Sequence, residues 1–153
     1  MHSVNLLSCS IIIYATSLTD AANFRDCGST SATVRRVTTS PCNGSPCILL
    51  KGAPANIRIR FTTRQRTTIG EAVVFGTLAG ERISLPWSHG NACGRVTPPC
   101  PIVPGEEYTY TYTGVVPTRY PAGVMTVRWE LLDARMQPFL CVDFDVQLVD
   151  APQ

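Results

Sequence analysis

Few residues of this 153-residue chain could do acid–base chemistry, and they are scattered along it. Beyond the first twenty residues there is one histidine, His89, in a loop flanked by Pro and Gly, and a loop histidine is ordinarily solvated. Asp143 and Asp145 share one face of a predicted strand and could imitate a carboxylate pair, but a glutamine on that face indicates contact with water. Glu106-Glu107 is typical of a polar turn. No phosphate-binding glycine loop or nucleophile elbow occurs, so the sequence predicts a protein that is not an enzyme.

The amino-terminal segment predicts export. Leu6 to Leu18 is an apolar run too short to span a bilayer comfortably, and the small residues Ala21 and Ala22 follow it. Residues 1–21 are therefore expected to be a signal peptide, and residues 22–153 a single mature domain. We expect the protein to be secreted and to act outside the cell.

The cysteines fit an exported protein. Apart from Cys9 in the predicted signal, six remain, and an even set predicts disulfides although six cysteines allow fifteen pairings. Cys42–Cys47 and Cys93–Cys100 each close a short Pro/Gly loop, which favours two local bridges and leaves Cys27 to pair with Cys141. Zinc ligation is the alternative, but no C-x2-C pair is present and exported thiols oxidise. We predict no metal and no cofactor.

Composition and periodicity favour an all-β domain. Hydrophobic residues make up 44% of the chain and charged residues 16%, with twelve prolines and eleven glycines, which is typical of a turn-rich β protein. A formal net charge of +2 is too small to suggest binding to nucleic acid. Seven segments have strand character: 33–38, 48–51, 56–62, 72–78, 108–113, 124–132 and 139–149. In the third of them Ile57, Ile59 and Phe61 share one face. The pattern predicts an immunoglobulin-like β-sandwich of about seven strands.

Four arginines, Arg58, Arg60, Arg64 and Arg66, fall within one predicted strand and the turn after it. The simpler interpretation is a solvated outer strand face, and the alternative is a patch that binds anionic lipid.

Short motifs carry a resemblance to a known family. They are Phe24-Arg-Asp-Cys-Gly-Ser29, Ser40-Pro-Cys42, Pro46-Cys47, Lys51-Gly52, Ala72-Val-Val74, Cys100-Pro-Ile102, Tyr120-Pro121 and Trp129-Glu130. With these motifs the chain resembles the ML lipid-recognition family, and within it the sterol carriers, from about Phe24 to Val149. The resemblance implies an immunoglobulin-like sandwich, the same three disulfides, and an apolar cavity between the sheets.

The resemblance also implies a function and its residues. The ligand, cholesterol or another sterol, would contact Leu85, Val116, Tyr120 and Trp129, with Val116 and Tyr120 at the mouth of the cavity. Leu85 departs from the sterol carriers, which have an aromatic residue there, so the ligand could instead be a fatty acid, a semiochemical or a bacterial lipid. A ligand-free interaction module with a filled sandwich is the remaining alternative.

A docking surface is implied in the same way. Contact with a membrane surface or a membrane sterol transporter would involve Phe75, Gly76 and Arg135. Asn43 begins the Asn-Gly-Ser glycosylation sequon, which the following Pro46 and the tight disulfide loop should handicap. We expect a monomer that carries its lipid in transient contact with such partners.

Overall fold

A computed structural model describes residues 21–152, which form two β-sheets packed face to face. The ten strands are β1 (Phe24–Asp26), β2 (Ala32–Ser40), β3 (Cys47–Leu50), β4 (Pro54–Thr63), β5 (Ile69–Leu78), β6 (Glu81–Ser84), β7 (Val96–Thr97), β8 (Glu107–Val115), β9 (Gly123–Asp133) and β10 (Pro138–Val149). One 3-10 helix spans Ala92–Arg95. The predicted all-β sandwich is confirmed, and all seven predicted strands are present. The predicted signal peptide lies outside the described residues except for Ala21.

The three additional strands are short. β1, β6 and β7 contain three, four and two residues, and so few residues cannot display a diagnostic alternation. β1 and β6 extend the edges of the larger sheet, and β7 extends the smaller one. Within residues 21–152 no helix is long and apolar enough to cross a membrane.

The larger sheet has the order β1-β10-β9-β5-β6, and β3 pairs in parallel with β10 further along the same strand. The smaller sheet has the order β2-β4-β8-β7. β9 lies in the middle of the larger sheet, where Trp129 is opposite Val74 of β5 on one side and Val142 of β10 on the other. This register places Trp129 at the centre of the sandwich.

Alternation along the strands builds the core. On β4 Ile57, Ile59 and Phe61 are buried while Arg58 and Arg60 face outwards, as the period of two predicts. The inward residues of the larger sheet meet this face, and they include Val74, Met125, Val127, Trp129, Leu131, Val142 and Phe144. The expected disulfides close the frame: Cys27–Cys141 across 114 positions, Cys42–Cys47 across five and Cys93–Cys100 across seven. These pairings confirm the cysteine prediction.

The sandwich has two distinct ends. β9 runs from Gly123 to Asp133, eleven residues that span about 35 Å at about 3.3 Å per residue. Val116 and Tyr120 precede β9 and Arg135 follows it, so they lie at opposite ends of the domain. We call these the Val116 end and the Arg135 end.

Candidate functional site

Three of the four predicted ligand-contact residues lie in the hydrophobic core. Leu85, Val116 and Trp129 are 2%, 1% and 0% exposed, and Tyr120 is half-buried against the same core. Leu85 and Trp129 both neighbour Val74 of strand β5. The Leu85 N–H donates to the Val74 carbonyl at 3.0 Å, and Trp129 of β9 is opposite Val74. Leu85 and Trp129 therefore lie on either side of Val74, in the middle of the larger sheet.

Trp87 connects this region to Val116. Its ring stacks on Trp129 with centroids 6.3 Å apart, and its Nε1–H donates to the Val115 carbonyl at 3.5 Å. Val116 itself is held by the β3–β4 turn, since its N–H donates to the Ala53 carbonyl at 2.9 Å. The sequence analysis missed Trp87. Its one signal was a bulky aromatic residue directly after Pro86, two positions beyond Leu85.

His89 is the centre of an aromatic cluster that also contains Tyr110, Tyr112, Trp87 and Trp129. The imidazole stacks on Tyr110 and Tyr112 with centroids 5.9 and 5.4 Å apart. Its Nδ1 lies 3.0 Å from the Trp87 carbonyl, which can only accept, so Nδ1 carries the proton. In the neutral imidazole the Tyr110 hydroxyl, 3.2 Å from Nε2, donates to that nitrogen. His89 is half-buried, so the expectation of a solvated histidine was met only in part: its ring packs on the tyrosines of β8, while the neighbouring Ser88 and Gly90 are exposed.

Two polar groups are buried inside the cluster. Burial raises the pKa of the Tyr110 hydroxyl, and the nearby Trp129 indole and Arg95 guanidinium only partly offset that rise. The Trp129 Nε1–H nevertheless has no acceptor in hydrogen-bonding geometry among the described residues. A buried N–H without an acceptor costs about 1–3 kcal/mol, so a polar atom that reached it would be bound favourably.

The acidic residues considered for catalysis lie outside the core. Asp143 accepts two hydrogen bonds from Arg128, at 2.8 and 2.9 Å. Asp145 accepts from Thr126 at 2.7 Å and from Arg25 at 3.3 Å, and these contacts lower its pKa despite partial burial. Both carboxylates face away from the core and are already paired. Within residues 21–152 no three His, Cys, Asp or Glu side chains are grouped as metal ligands would be.

Tyr120 lies at the surface of the Val116 end. Its backbone carbonyl accepts a hydrogen bond from Lys51 Nζ at 3.0 Å, and Lys51 also pairs with Asp150. The Arg119 guanidinium lies over the Tyr120 ring, 4.8 Å from its centroid, and donates to its hydroxyl. Tyr120 therefore contacts the core with one side and polar groups with the other, which suits a residue at an opening.

The residues predicted to dock on membranes or partners are spread over the molecule. Phe75 is half-buried on β5 beneath the Arg82 guanidinium, 3.9 Å from the ring centroid. Gly76 faces inwards, where an added Cβ would lie 2.7 Å from the Met125 sulfur. Arg135 is exposed in the β9–β10 turn at the Arg135 end. The structure therefore does not bring Arg135 together with Val116 and Tyr120, and the docking role of these residues stays a prediction.

The surface grooves do not coincide with the predicted ligand site. A groove of about 500 Å³ at the Arg135 end is lined mainly by polar residues, including Gln65, Arg66, Asp133 and Arg135. It contains none of the four predicted ligand-contact residues, three of which are buried in one core with the residues of the aromatic cluster. A ligand between the sheets would therefore have to move side chains that are packed together here. Asn43, in the predicted sequon, is exposed in the Cys42–Cys47 loop.

Comparison with known proteins gives a consistent assignment. The family model for the ML domain matches residues 21–148. The NPC intracellular cholesterol transporter 2 of Danio rerio is 36% identical over 131 residues, covering 86% of this chain and 87% of that protein. Its counterpart in Sus scrofa is 30% identical over 148 residues, 97% of this chain and 99% of that protein. The fold matches the crystal structure of a Niemann-Pick type C2 protein from Japanese carpenter ant, with a TM-score of 0.71 at 24% identity over 83% of this chain and 99% of that one. The chain belongs to the ML domain family.

Proposed function

We propose that this protein is a carrier that binds a sterol between its two sheets and transfers it to a membrane or a membrane transporter. The observation that carries the proposal is similarity over nearly the whole chain to relatives named as cholesterol transporters. The resemblance assigns the ligand to Leu85, Val116, Tyr120 and Trp129. Three of these are buried in one apolar core and the fourth borders it, which supports an interior site.

The apolar core can supply the binding energy. A sterol that hides about 400 Å² of apolar surface gains about 10 kcal/mol at about 25 cal/mol/Å², before association costs. Part of this gain must offset the cost of separating side chains that are in contact here, such as Trp87 and Trp129. Net binding without a charged anchor requires that this cost and the cost of association together stay below about 10 kcal/mol.

A single polar contact is available inside. The Trp129 Nε1–H is buried and unpaired within residues 21–152. A ligand oxygen that accepted this hydrogen bond would remove the cost of leaving the donor unsatisfied. A sterol hydroxyl supplies one such oxygen on an otherwise apolar body, and this favours a mono-hydroxylated lipid.

The polar groups are poorly placed for catalysis, which supports a carrier rather than an enzyme. The His89 Nε2 lone pair accepts from Tyr110, so it is not free to remove a proton from a substrate. Asp143 and Asp145 face outwards and are paired with Arg128 and Thr126. Lipid transfer requires no bond to be broken, and an interior without a free base is compatible with it.

Delivery would proceed from the Val116 end. Near that end Val115 of the smaller sheet and Val124 of the larger sheet are 60% and 54% exposed, so each outer face offers an apolar side chain. A membrane offers an apolar surface of the same kind, so a transient contact there is favourable. We propose that the protein acts as a secreted monomer, outside the cell or in the lysosome lumen, after loss of residues 1–21.

The test is to identify the lipid that the secreted protein carries. The full chain is expressed in secreting animal cells, its mature amino terminus is sequenced, and extracted lipid is identified by mass spectrometry. The purified protein is then assayed for transfer of a fluorescent sterol between vesicles. We expect about one sterol per chain and transfer without chemical change. Recovery of a fatty acid would support lipid carriage but contradict a sterol as the ligand. An empty protein that transfers no lipid would contradict the whole proposal.

A further inference from the structure

Three arginines converge on the outer face of the smaller sheet. Arg36 of β2 is directly opposite Arg60 of β4, and Arg58 lies two residues before Arg60, opposite Thr38. Ile59, between the two β4 arginines, is fully buried, so the arginines point away from the core. The fold therefore gathers three guanidinium groups on one patch, although Arg36 is 22 positions from Arg58 in the sequence.

The charges on this patch are not balanced. Like charges directly opposite each other on neighbouring strands destabilise a sheet, and Arg36 and Arg60 stand in that relation. One carboxylate reaches the patch: Glu107 Oε1 lies 3.3 Å from Arg60 Nε, and both side chains are half exposed. Arg36 Nε is buried and has no hydrogen-bond partner among the described residues. A buried N–H on a charged group that lacks an acceptor is costly, and an anion would relieve both penalties.

The arginines enclose a groove that a small anion could enter. Its volume is about 220 Å³, and it is lined by Arg36, Thr38, Arg58, Arg60 and Thr109. None of these five residues is acidic, and the two threonine hydroxyls add further donors. Since a water molecule occupies about 30 Å³ of liquid, the groove holds several waters or one tetrahedral oxyanion. A guanidinium group can donate two parallel hydrogen bonds to two oxygens of one phosphate or sulfate.

We propose that this arginine groove binds a phosphate or sulfate group, held by Arg36, Arg58 and Arg60. The groove is on the outer face of the smaller sheet, whereas the sterol site proposed above lies between the sheets. Binding in the groove is therefore independent of lipid carriage, and either proposal can fail without the other. The group could belong to the headgroup of an anionic lipid or to a soluble phosphate, and both present the same oxygens.

The test is to titrate inorganic phosphate, and separately sulfate, into the secreted protein at constant ionic strength set by chloride. Nitrogen-15 NMR follows the Nε–H signals of Arg36, Arg58 and Arg60, and the variants Arg36→Gln and Arg58→Gln, each followed through the remaining groove arginines, remove contacts. Arg35→Gln is the matched control, because Arg35 is exposed at the bulge beside Arg36, loses the same charge and does not line the groove. Since loss of a charge-assisted hydrogen bond weakens binding about tenfold, each groove variant should show at least that loss and the control none.

Thermal melts verify that each variant is folded, and Arg58→Gln replaces an exposed side chain that should not affect the core. Vesicles of phosphatidylcholine with and without phosphatidic acid then separate the two sources. Binding to the acidic vesicles that Arg58→Gln abolishes would identify a lipid headgroup, and phosphate binding without vesicle binding would identify a soluble anion. Either result supports the proposal. An Arg36 Nε–H signal that neither anion shifts, or equal weakening by Arg35→Gln, would overturn it.

Discussion

Replacing Leu85 by alanine tests the proposed position of the ligand. Leu85 is 2% exposed and bonded through its backbone to Val74, the cross-strand neighbour of Trp129. The change removes three carbon atoms, and at about 0.8 kcal/mol for each buried methylene their full contact with a ligand would be worth about 2.4 kcal/mol. Part of the Leu85 side chain contacts other protein residues and only part would contact the ligand. We therefore expect a loss smaller than 2.4 kcal/mol, namely a fall in sterol affinity of about tenfold, which is about 1.4 kcal/mol.

The stability of the empty protein changes as well and needs a matched control. Leu140 is 0% exposed, lies opposite Leu131 on β9 and is not among the predicted ligand-contact residues. A buried Leu→Ala change costs about 3 kcal/mol, which for about 130 residues lowers the melting temperature by about 10 °C. Leu85→Ala and Leu140→Ala should therefore destabilise the empty protein to a similar extent.

The assay is fluorescence titration with a naturally fluorescent sterol, well below both melting temperatures, with Kd as the readout. Only Leu85→Ala should weaken binding about tenfold, while Leu140→Ala should stay close to the unmodified protein. Unchanged affinity in folded Leu85→Ala would refute the assigned position. An equal loss in both variants would show that binding reports general stability of the core and not contact with Leu85.

Three further outcomes are expected. Trp129→Phe removes the unpaired indole N–H, so affinity for cholesterol should fall about fivefold while affinity for cholestane, which lacks the hydroxyl, stays the same in the same titration. Replacing Cys27 and Cys141 by alanine opens a 114-position loop and should cost about 5 kcal/mol of unfolding free energy, against about 2 kcal/mol for the Cys42–Cys47 bridge; similar costs in urea unfolding would contradict the loop-length argument. The pKa of Asp145 is lowered below 3.8 by its hydrogen bonds, so its contribution to stability is present above that value and is lost as the pH falls through the folded pKa. Asp145→Asn should therefore flatten this part of the acid-unfolding curve, and an unchanged curve would show that other groups dominate it.

Most of the fold could be predicted from local patterns in the sequence. Strand β4 alternates so clearly that its buried face could be read from Ile57, Ile59 and Phe61, and the structure places all three in the core. The disulfides were predictable because four of the six cysteines close two short loops, which leaves Cys27 and Cys141 as the third pair. β6 was not predictable, since its four residues become a strand only by pairing with the second half of β5.

The candidate site was only partly predictable. Leu85, Val116 and Trp129 came from resemblance; the structure buries all three, including Val116 that was expected at the mouth, and their contact with a ligand stays a prediction. Trp87 and His89 were missed or misjudged because both lie in the segment between β6 and the 3-10 helix, where no periodicity indicates burial. Their environment depends on contacts across the sheets: Trp87 bonds to Val115, and His89 stacks on side chains from β8. Loop burial of this kind is a tertiary property.

The bonds between the two sheets indicate where a ligand could enter a core that is closed here. At the Arg135 end the sheets are joined by two-way backbone bonds between Thr67 and Ile102, at 3.0 and 3.1 Å, and Thr30 N–H donates to the Phe139 carbonyl. At the Val116 end the β3–β4 turn is likewise bonded in both directions: Gly52 N–H donates to the Val116 carbonyl at 2.7 Å, and Val116 N–H donates to the Ala53 carbonyl at 2.9 Å. The Trp87 indole, in contrast, is held to β8 by one bond of 3.5 Å, which is at the outer limit of a hydrogen bond. Displacing the Trp87 side chain breaks only this long bond and uncovers Trp129, on which the Trp87 ring stacks. The weak bond of the Trp87 indole favours entry between Trp87 and β8, where Val116, next to the Val115 carbonyl that accepts this bond, can be buried in the closed protein and still line the opening.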